Sequence, residues 1–196
     1  VTLLADFQAI STRAEIPGFL YRHRLNRVIC EVGVRFGYHL RQLLACDPGV
    51  AIGVDLWTDD GQPAHNDTGM SQRQLDATYQ RVFHEFLPDP RVKLFRGYSV
   101  GAAECVDDYS LDFCYLDAAH DEESCWNDLN AWWKKIRRGG LFAGHDYVDE
   151  DARVGVPFGV IAAVQKFIAA KEIAPEFFNV TQRGYKSWMI LNVEGE

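Results

Sequence analysis

Five times along this chain a short apolar run bounded by turn residues gives way to a stretch with helical spacing, and that alternation leaves few architectures open. The runs lie at 27–32 (RVICEV), 50–56 (VAIGVDL), 91–96, 111–116 and 140–144. Short runs that are apolar on consecutive positions read as strands buried on both faces. The helical stretches lie at 38–46, 71–86, 100–106, 122–137 and 158–171. Strands that alternate with helices require a mostly parallel sheet joined by right-handed crossovers. Two further β-rich runs, 176–182 and 185–193, meet at Arg183-Gly184 and read as a closing hairpin. The expectation is an α/β chain: a doubly wound, mostly parallel seven-stranded sheet with a C-terminal antiparallel hairpin, all in one domain over 1–196. Residues 1–26 form a helical preface broken at Pro17-Gly18, which either packs on the sheet or serves as a lid.

Helical spacing also predicts the buried stripes. Leu40, Leu43 and Leu44 form the first, and Leu75, Tyr79, Val82, Phe83 and Phe86 the second. Trp126, Leu129, Trp133 and Ile136 form the third, with Gly139-Gly140 as a left-handed stop. One of the adjacent Trp132 and Trp133 is then expected to face away. Val160, Ile161, Val164, Phe167 and Ile168 form the last stripe.

Composition narrows the function classes. A net charge of −8 disfavours nucleic acid as a partner, because binding a phosphate backbone rests on clustered positive charge. No apolar run approaches the roughly 20 residues of a membrane span, and residues 1–10 lack the pattern of a secretory signal. Cys30, Cys46, Cys105, Cys114 and Cys125 show no C-x-x-C spacing and read as reduced, mostly buried thiols. The expected location is cytoplasmic.

In an open α/β sheet ligands bind beyond the carboxyl ends of the strands, so the residues there are the candidates. The first strand runs into Glu31-Val-Gly33-Val-Arg-Phe-Gly37, a turn that lets a ligand approach the backbone but lacks the G-x-G-x-x-G spacing of a dinucleotide site. Asp55 ends the second strand 22 positions after Gly33, where a carboxylate suits the vicinal hydroxyls of a ribose. Trp57 follows and either stacks on a base or fills the core. Ser99 follows the third strand as a candidate helix N-cap, a role compatible with a ligand contact. Asp117 and His120 follow the fourth strand, and His145 and Asp146 the fifth. The loop at 57–70, long and polar, is a candidate lid. The other histidines, His23, His39, His65 and His84, show no ligand spacing and read as structural or exposed.

The set E-x-G-x-x-x-G, an acid ending the second strand, and S-L-D-F-x-Y-x-D-A-x-H followed by G-G-L-x-A-G-H-D-Y resembles the class I S-adenosylmethionine-dependent methyltransferases. Within them it resembles a small bacterial branch related to macrolide-sugar and aminocoumarin O-methyltransferases, over residues 27–192. The resemblance implies the Rossmann-like methyltransferase fold and methyl transfer to a hydroxyl of a small molecule. It also implies that Glu31, Gly33, Gly37, Asp55, Trp57, Ser99 and Asp117 contact S-adenosylmethionine. Where the fold usually carries a further glycine, this chain has Arg35. The resemblance implies His120 as the base, with Asp117 as its catalytic partner. It implies a divalent cation, Mg²⁺ or Mn²⁺, at Asp117, His145 and Asp146, where the imidazole weakens a Mg²⁺ site and suits Mn²⁺, Fe²⁺ or Zn²⁺ better. Related enzymes self-associate, which implies a homo-oligomer. The alternatives are a nicotinamide-dependent oxidoreductase, disfavoured by the missing G-x-G, and a nucleoside-binding protein without turnover.

Overall fold

The structure is a computed structural model that describes residues 2–62, 69–148, 150–151, 156–173 and 186–192. Strands β1 (Val28–Val32), β2 (Val50–Asp55), β3 (Val92–Arg96), β4 (Leu111–Leu116), β5 (Ile136–Gly144) and β8 (Trp188–Leu191) form a six-stranded sheet in the order β3-β2-β1-β4-β5-β8. β8 lies antiparallel to β5, and the other pairs are parallel. A two-residue ribbon, β6 (Glu150–Asp151) with β7 (Val156–Pro157), follows β5. The expected run at 176–182, which would supply a seventh strand, lies outside the described residues, as does His65.

Each face of the sheet carries its own layer. Ile29, Phe113 and Tyr115 point to one face and pack with Leu40 and Leu43 of α3 (Tyr38–Leu43) and Val82 and Phe86 of α4 (Gln72–Phe86). Cys30, Cys114 and Phe142 point to the other and pack with α5 (Ser99–Glu104), α6 (Glu122–Trp133) and α7 (Val160–Ala170). This is the doubly wound arrangement. The winding reverses at β1, so the crevice between the ends of β1 and β4 is the switch point at which such folds bind ligands. β4 is buried along its whole length, as an apolar run between two helical layers must be.

The preface joins the first layer. Phe7 of α1 (Leu3–Gln8), and Ile16, Phe19 and Leu20 of α2 (Ile16–Arg22), are fully buried in it. Packing, the first of the two expectations for residues 1–26, describes most of this segment. All five cysteines are free thiols, and only Cys105 is exposed. No helix among the described residues is long and apolar enough to cross a membrane.

The preface breaks earlier than expected, between α1 and α2, and Pro17-Gly18 lie in the first turn of α2, where a proline needs no N–H partner. Two further details differ from the sequence reading. α6 stops at Trp133 rather than 137, and β5 starts at Ile136, which pairs with Leu111. The register then shifts, since Phe113 pairs with Leu141, and Gly139 at φ +74° makes the irregularity inside β5 instead of capping the helix. Trp132 and Trp133 are both buried, although one was expected outside. α6 is flanked on two sides: the Trp132 indole N–H donates to Ser99 Oγ of α5 at 2.8 Å, and Trp133 meets Phe167 of α7 edge-on. A helix wedged between neighbours as well as on a sheet buries more than one narrow stripe. Elsewhere the stripes shift slightly. Ile161, Ile168 and Leu44 are only half-buried, while Ala163 and His39 are buried.

Candidate functional site

A cavity of about 680 Å³ opens at the switch point, within the range of small-ligand sites. Glu31, Gly33, Asp55, Trp57, Ser99, Asp117, His120, His145 and Asp146 all line it. Gly37 is set back from it. At φ +77° it turns the chain into α3, and a side chain there would meet the Phe86 ring at 2.9 Å.

The glycine turn is built by close approach. A Cβ on Gly33, at φ +94°, would lie 1.8 Å from the Asp117 carbonyl oxygen, so only glycine lets β1 leave the sheet beside β4. Arg35 and Trp57 also have left-handed backbones, at φ +46° and +42°, as does Asp146 at +53°. Three non-glycine residues in that region around one cavity mark backbone held for what it presents.

Asp55 organises the β2 end. One carboxylate oxygen accepts from the Arg35 N–H at 2.7 Å and the other from the Trp57 N–H at 2.9 Å. Each oxygen keeps a second lone pair, which suits two hydroxyls of a diol. Burial raises the Asp55 carboxyl pKa, and the two N–H groups oppose that. Trp57 is 2 % exposed, and its indole N–H donates to the Arg35 carbonyl at 3.0 Å. It packs against Tyr79 and so braces the turn from within the core, the second of its two expected roles. Ser99 is the first residue of α5, and Tyr98 is its N-cap; Ser99 is therefore not the cap expected of it.

The β4 and β5 ends supply four groups. Asp146 lies between two imidazoles, with His120 Nε2 2.8 Å from one carboxylate oxygen and His145 Nδ1 2.9 Å from the other. Burial alone would raise its pKa, but hydrogen bonds from His120 and His145 outweigh it and hold the carboxyl well below the ordinary range. The His120 ring stacks on Phe158 at 4.4 Å. Asp117 is raised by burial despite the opposing pull of His145, and its second oxygen lies 3.6 Å from the Arg13 guanidinium. Donor atoms of Asp117, His120 and Asp146 lie within 4.8 Å of one another, the ligand-distance group among the described residues. The third member of the expected set, His145, is equally near, its Nδ1 3.8 Å from Asp117 and 2.9 Å from Asp146.

Sequence reasoning missed Arg13, His39 and Phe158 as residues of the site. Phe158 follows a segment that carries no pattern. Arg13 comes from a preface with no strand end in it. His39 is the second residue of α3, where spacing marks only the apolar stripe.

A doubly wound sheet with an acid at the β2 end and a glycine turn at the β1 end places the chain in the Rossmann-like α/β class. The chain belongs to the methyltransferase-domain family, whose model matches residues 30–147, and it is an S-adenosylmethionine-dependent methyltransferase. No curated protein matches the sequence. Among solved structures, the O-methyltransferase NovP is 17% identical with a TM-score of 0.62, covering 96% of this chain and 79% of that one. A putative caffeoyl-CoA O-methyltransferase from Staphylococcus aureus is 15% identical with a TM-score of 0.59, covering 93% and 85%. A putative rRNA-methylase from Clostridium thermocellum is 12% identical with a TM-score of 0.64, covering 95% and 98%. At these identities the likeness shows the fold, and neighbours named for acceptors as different as caffeoyl-CoA and rRNA show that the fold does not choose one.

Proposed function

We propose that this methyltransferase acts on a hydroxyl of a small molecule, with Asp55 holding the cofactor ribose and His120 receiving the acceptor's proton. The observation that carries the reading is the His120–Asp146 pair at the cavity wall. A carboxylate 2.8 Å from Nε2 fixes the ring and favours the protonated imidazole, as a base needs while a neutral hydroxyl becomes an ether. The methyl carbon passes from sulfonium sulfur to oxygen in one displacement, and the sulfur keeps the electrons of the broken bond. Phe158 stacked on His120 keeps water from one side of the ring. A net charge of −8 supports an acceptor other than nucleic acid.

The residues also fit a divalent cation. Two carboxylates and an imidazole within 4.8 Å suit Mn²⁺, Fe²⁺ or Zn²⁺ better than Mg²⁺. A cation held by Asp117, His120 and Asp146 would acidify the acceptor hydroxyl and orient it. The two roles of His120 compete, since an imidazole bound to metal cannot also take a proton through the same nitrogen.

Cofactor class is tested by thermal shift. S-Adenosylhomocysteine at about 100 times its Kd is expected to add about 2.7 kcal/mol of stability, with no shift from NAD. The reverse pattern would sink the reading and restore a nicotinamide enzyme.

A further inference from the structure

The cavity is charged unevenly. At the strand ends it is acidic, with Glu31, hydrogen-bonded to the buried His39 at 3.0 Å, and with Asp55, Asp117 and Asp146. At its outer rim stand two arginines. Arg35 lies in the turn between β1 and α3, exposed, with its backbone at φ +46°. A glycine adopts that conformation without strain, whereas a larger residue there costs energy that its side chain's contacts must offset. The main-chain N–H would reach Asp55 from a glycine equally well, so the offset lies with the guanidinium. Its carbon sits 5.0 Å from the centre of the Phe36 ring, which is half-buried and lines the cavity. Arg81 of α4, also exposed, reaches the same ring at 5.3 Å. It stands three residues beyond Thr78, itself three beyond Leu75, and this spacing continues the face of α4 that lines the cavity. Two guanidiniums drawn onto one ring repel each other. Neither has a carboxylate within ion-pair distance among the described residues, and Asp55 feels the Arg35 charge only from farther off. Arg41, beside Tyr38, is by contrast paired with Glu85. The ring orders the Arg35 and Arg81 forks but leaves their N–H donors open, an arrangement that an oxyanion completes.

We propose that Arg35 and Arg81 bind an oxyanion carried by the methyl acceptor, a carboxylate or a phosphate, so that the acceptor is an anionic small molecule whose hydroxyl lies at His120. This rests on the methyl-transfer reading above and names the substrate class that it leaves open. β1 and β4 are neighbours, so the turn after one and the loop after the other start about 5 Å apart. Arg35 and His120 line one continuous cavity, which a single molecule can span. The acids at the strand ends repel the acceptor's anionic group and the arginines at the rim attract it, so one orientation is favoured, with the hydroxyl inward.

The test measures, by calorimetry on the whole protein saturated with S-adenosylhomocysteine, the binding of benzoate, phenyl phosphate and neutral benzamide. Wild type is expected to bind an anion about tenfold or more tightly than benzamide, as charge-assisted bonds allow. Benzoate as the tighter anion marks a carboxylate site, and phenyl phosphate a phosphate site. Arg81→Gln should abolish the preference and leave S-adenosylhomocysteine affinity unchanged, with Arg81→Lys keeping part of the preference. Arg35→Gly, which the left-handed backbone accepts, should lose the preference with the fold kept. Benzamide bound as well as the anions, no binding of any of the three, or a preference that survives either substitution overturns the proposal and leaves the cofactor reading intact. If Arg81→Gln weakens S-adenosylhomocysteine but not 5′-methylthioadenosine, which lacks the amino-acid end, the arginines serve the cofactor and the proposal also falls. If wild type does not bind S-adenosylhomocysteine, the cofactor reading itself falls and this proposal falls with it.

Discussion

Glu31 and His39 show how burial sets protonation. Burial raises Glu31 well above its ordinary 4.5 and lowers His39 from 6.5 to about 3, so the folded pair favours one proton, held by Glu31. The unfolded pair also holds one proton between pH 4.5 and 6.5, on the imidazole, and stability is flat there. Below that window the unfolded chain takes a second proton and acid destabilises. Above it the unfolded chain loses its proton while Glu31 keeps one, and stability falls with rising pH by up to about 1.4 kcal/mol per unit. Glu31→Gln is expected to remove the alkaline fall and keep an acid-side one. Urea midpoints taken from pH 4 to 9 would refute this if variant and wild type ran parallel. At His120 the expected result is a loss of about 10²- to 10⁴-fold in kcat for His120→Ala with S-adenosylhomocysteine affinity kept. A chelator tests the cation itself: activity that survives chelation removes the metal from the reading, whereas activity lost to it and restored by Mn²⁺ requires one. The strand-end acids and histidines were legible in the sequence because strand ends are where this topology converges. Arg13 and His39 were not, since what brings them to the cavity is the packing of helices whose patterns report only their apolar sides.

The elements were legible where periodicity and punctuation agree. β1, β2 and β4 fall within a residue or two of expectation because each is an apolar run closed by turn residues. The junction of α6 and β5 was misplaced because Gly139-Gly140 punctuates in two ways, as a helix stop or as an irregularity within a strand. Ile136, apolar and four residues past Trp132, continues the helical pattern as well as it starts a strand. Tertiary pairing with Leu111 decides between them. At the β1 turn no such ambiguity exists. Gly33→Ala would force a Cβ onto the Asp117 carbonyl in a left-handed backbone, and the clash is with main chain that cannot swing aside. The expected outcome is loss of roughly 2–4 kcal/mol of stability, from backbone strain together with overpacking, and loss of S-adenosylhomocysteine binding. A variant that melts and binds like wild type would show that β1 and β4 can separate there.

Across the whole molecule, the two helical layers divide the work. One layer, with the preface, α3 and α4, brings Arg13 and His39 to the cavity. The other, with α6 and α7, frames His120 and carries an aromatic cluster in which Phe142 meets Trp133, Phe167 and Trp188. Phe142→Ala is expected to cost about 3–5 kcal/mol in urea unfolding, because a fully buried ring leaves a void its large neighbours cannot close. Cofactor affinity below the transition should hold, and a fall in affinity without a fall in stability would contradict this division. The strand order also dictates when the molecule can come together during synthesis. Val28 of β1 is tied to Asp112 of β4, 84 positions later, and β5 receives β8 only near the end of the described chain. At about 5–20 residues per second, β1 waits several seconds on the ribosome with one edge bare. The helices that carry Phe7 and Phe19 are made before β1 and can shield one face of it, so the segment that brings Arg13 to the finished site is also an early cover for its unfinished sheet.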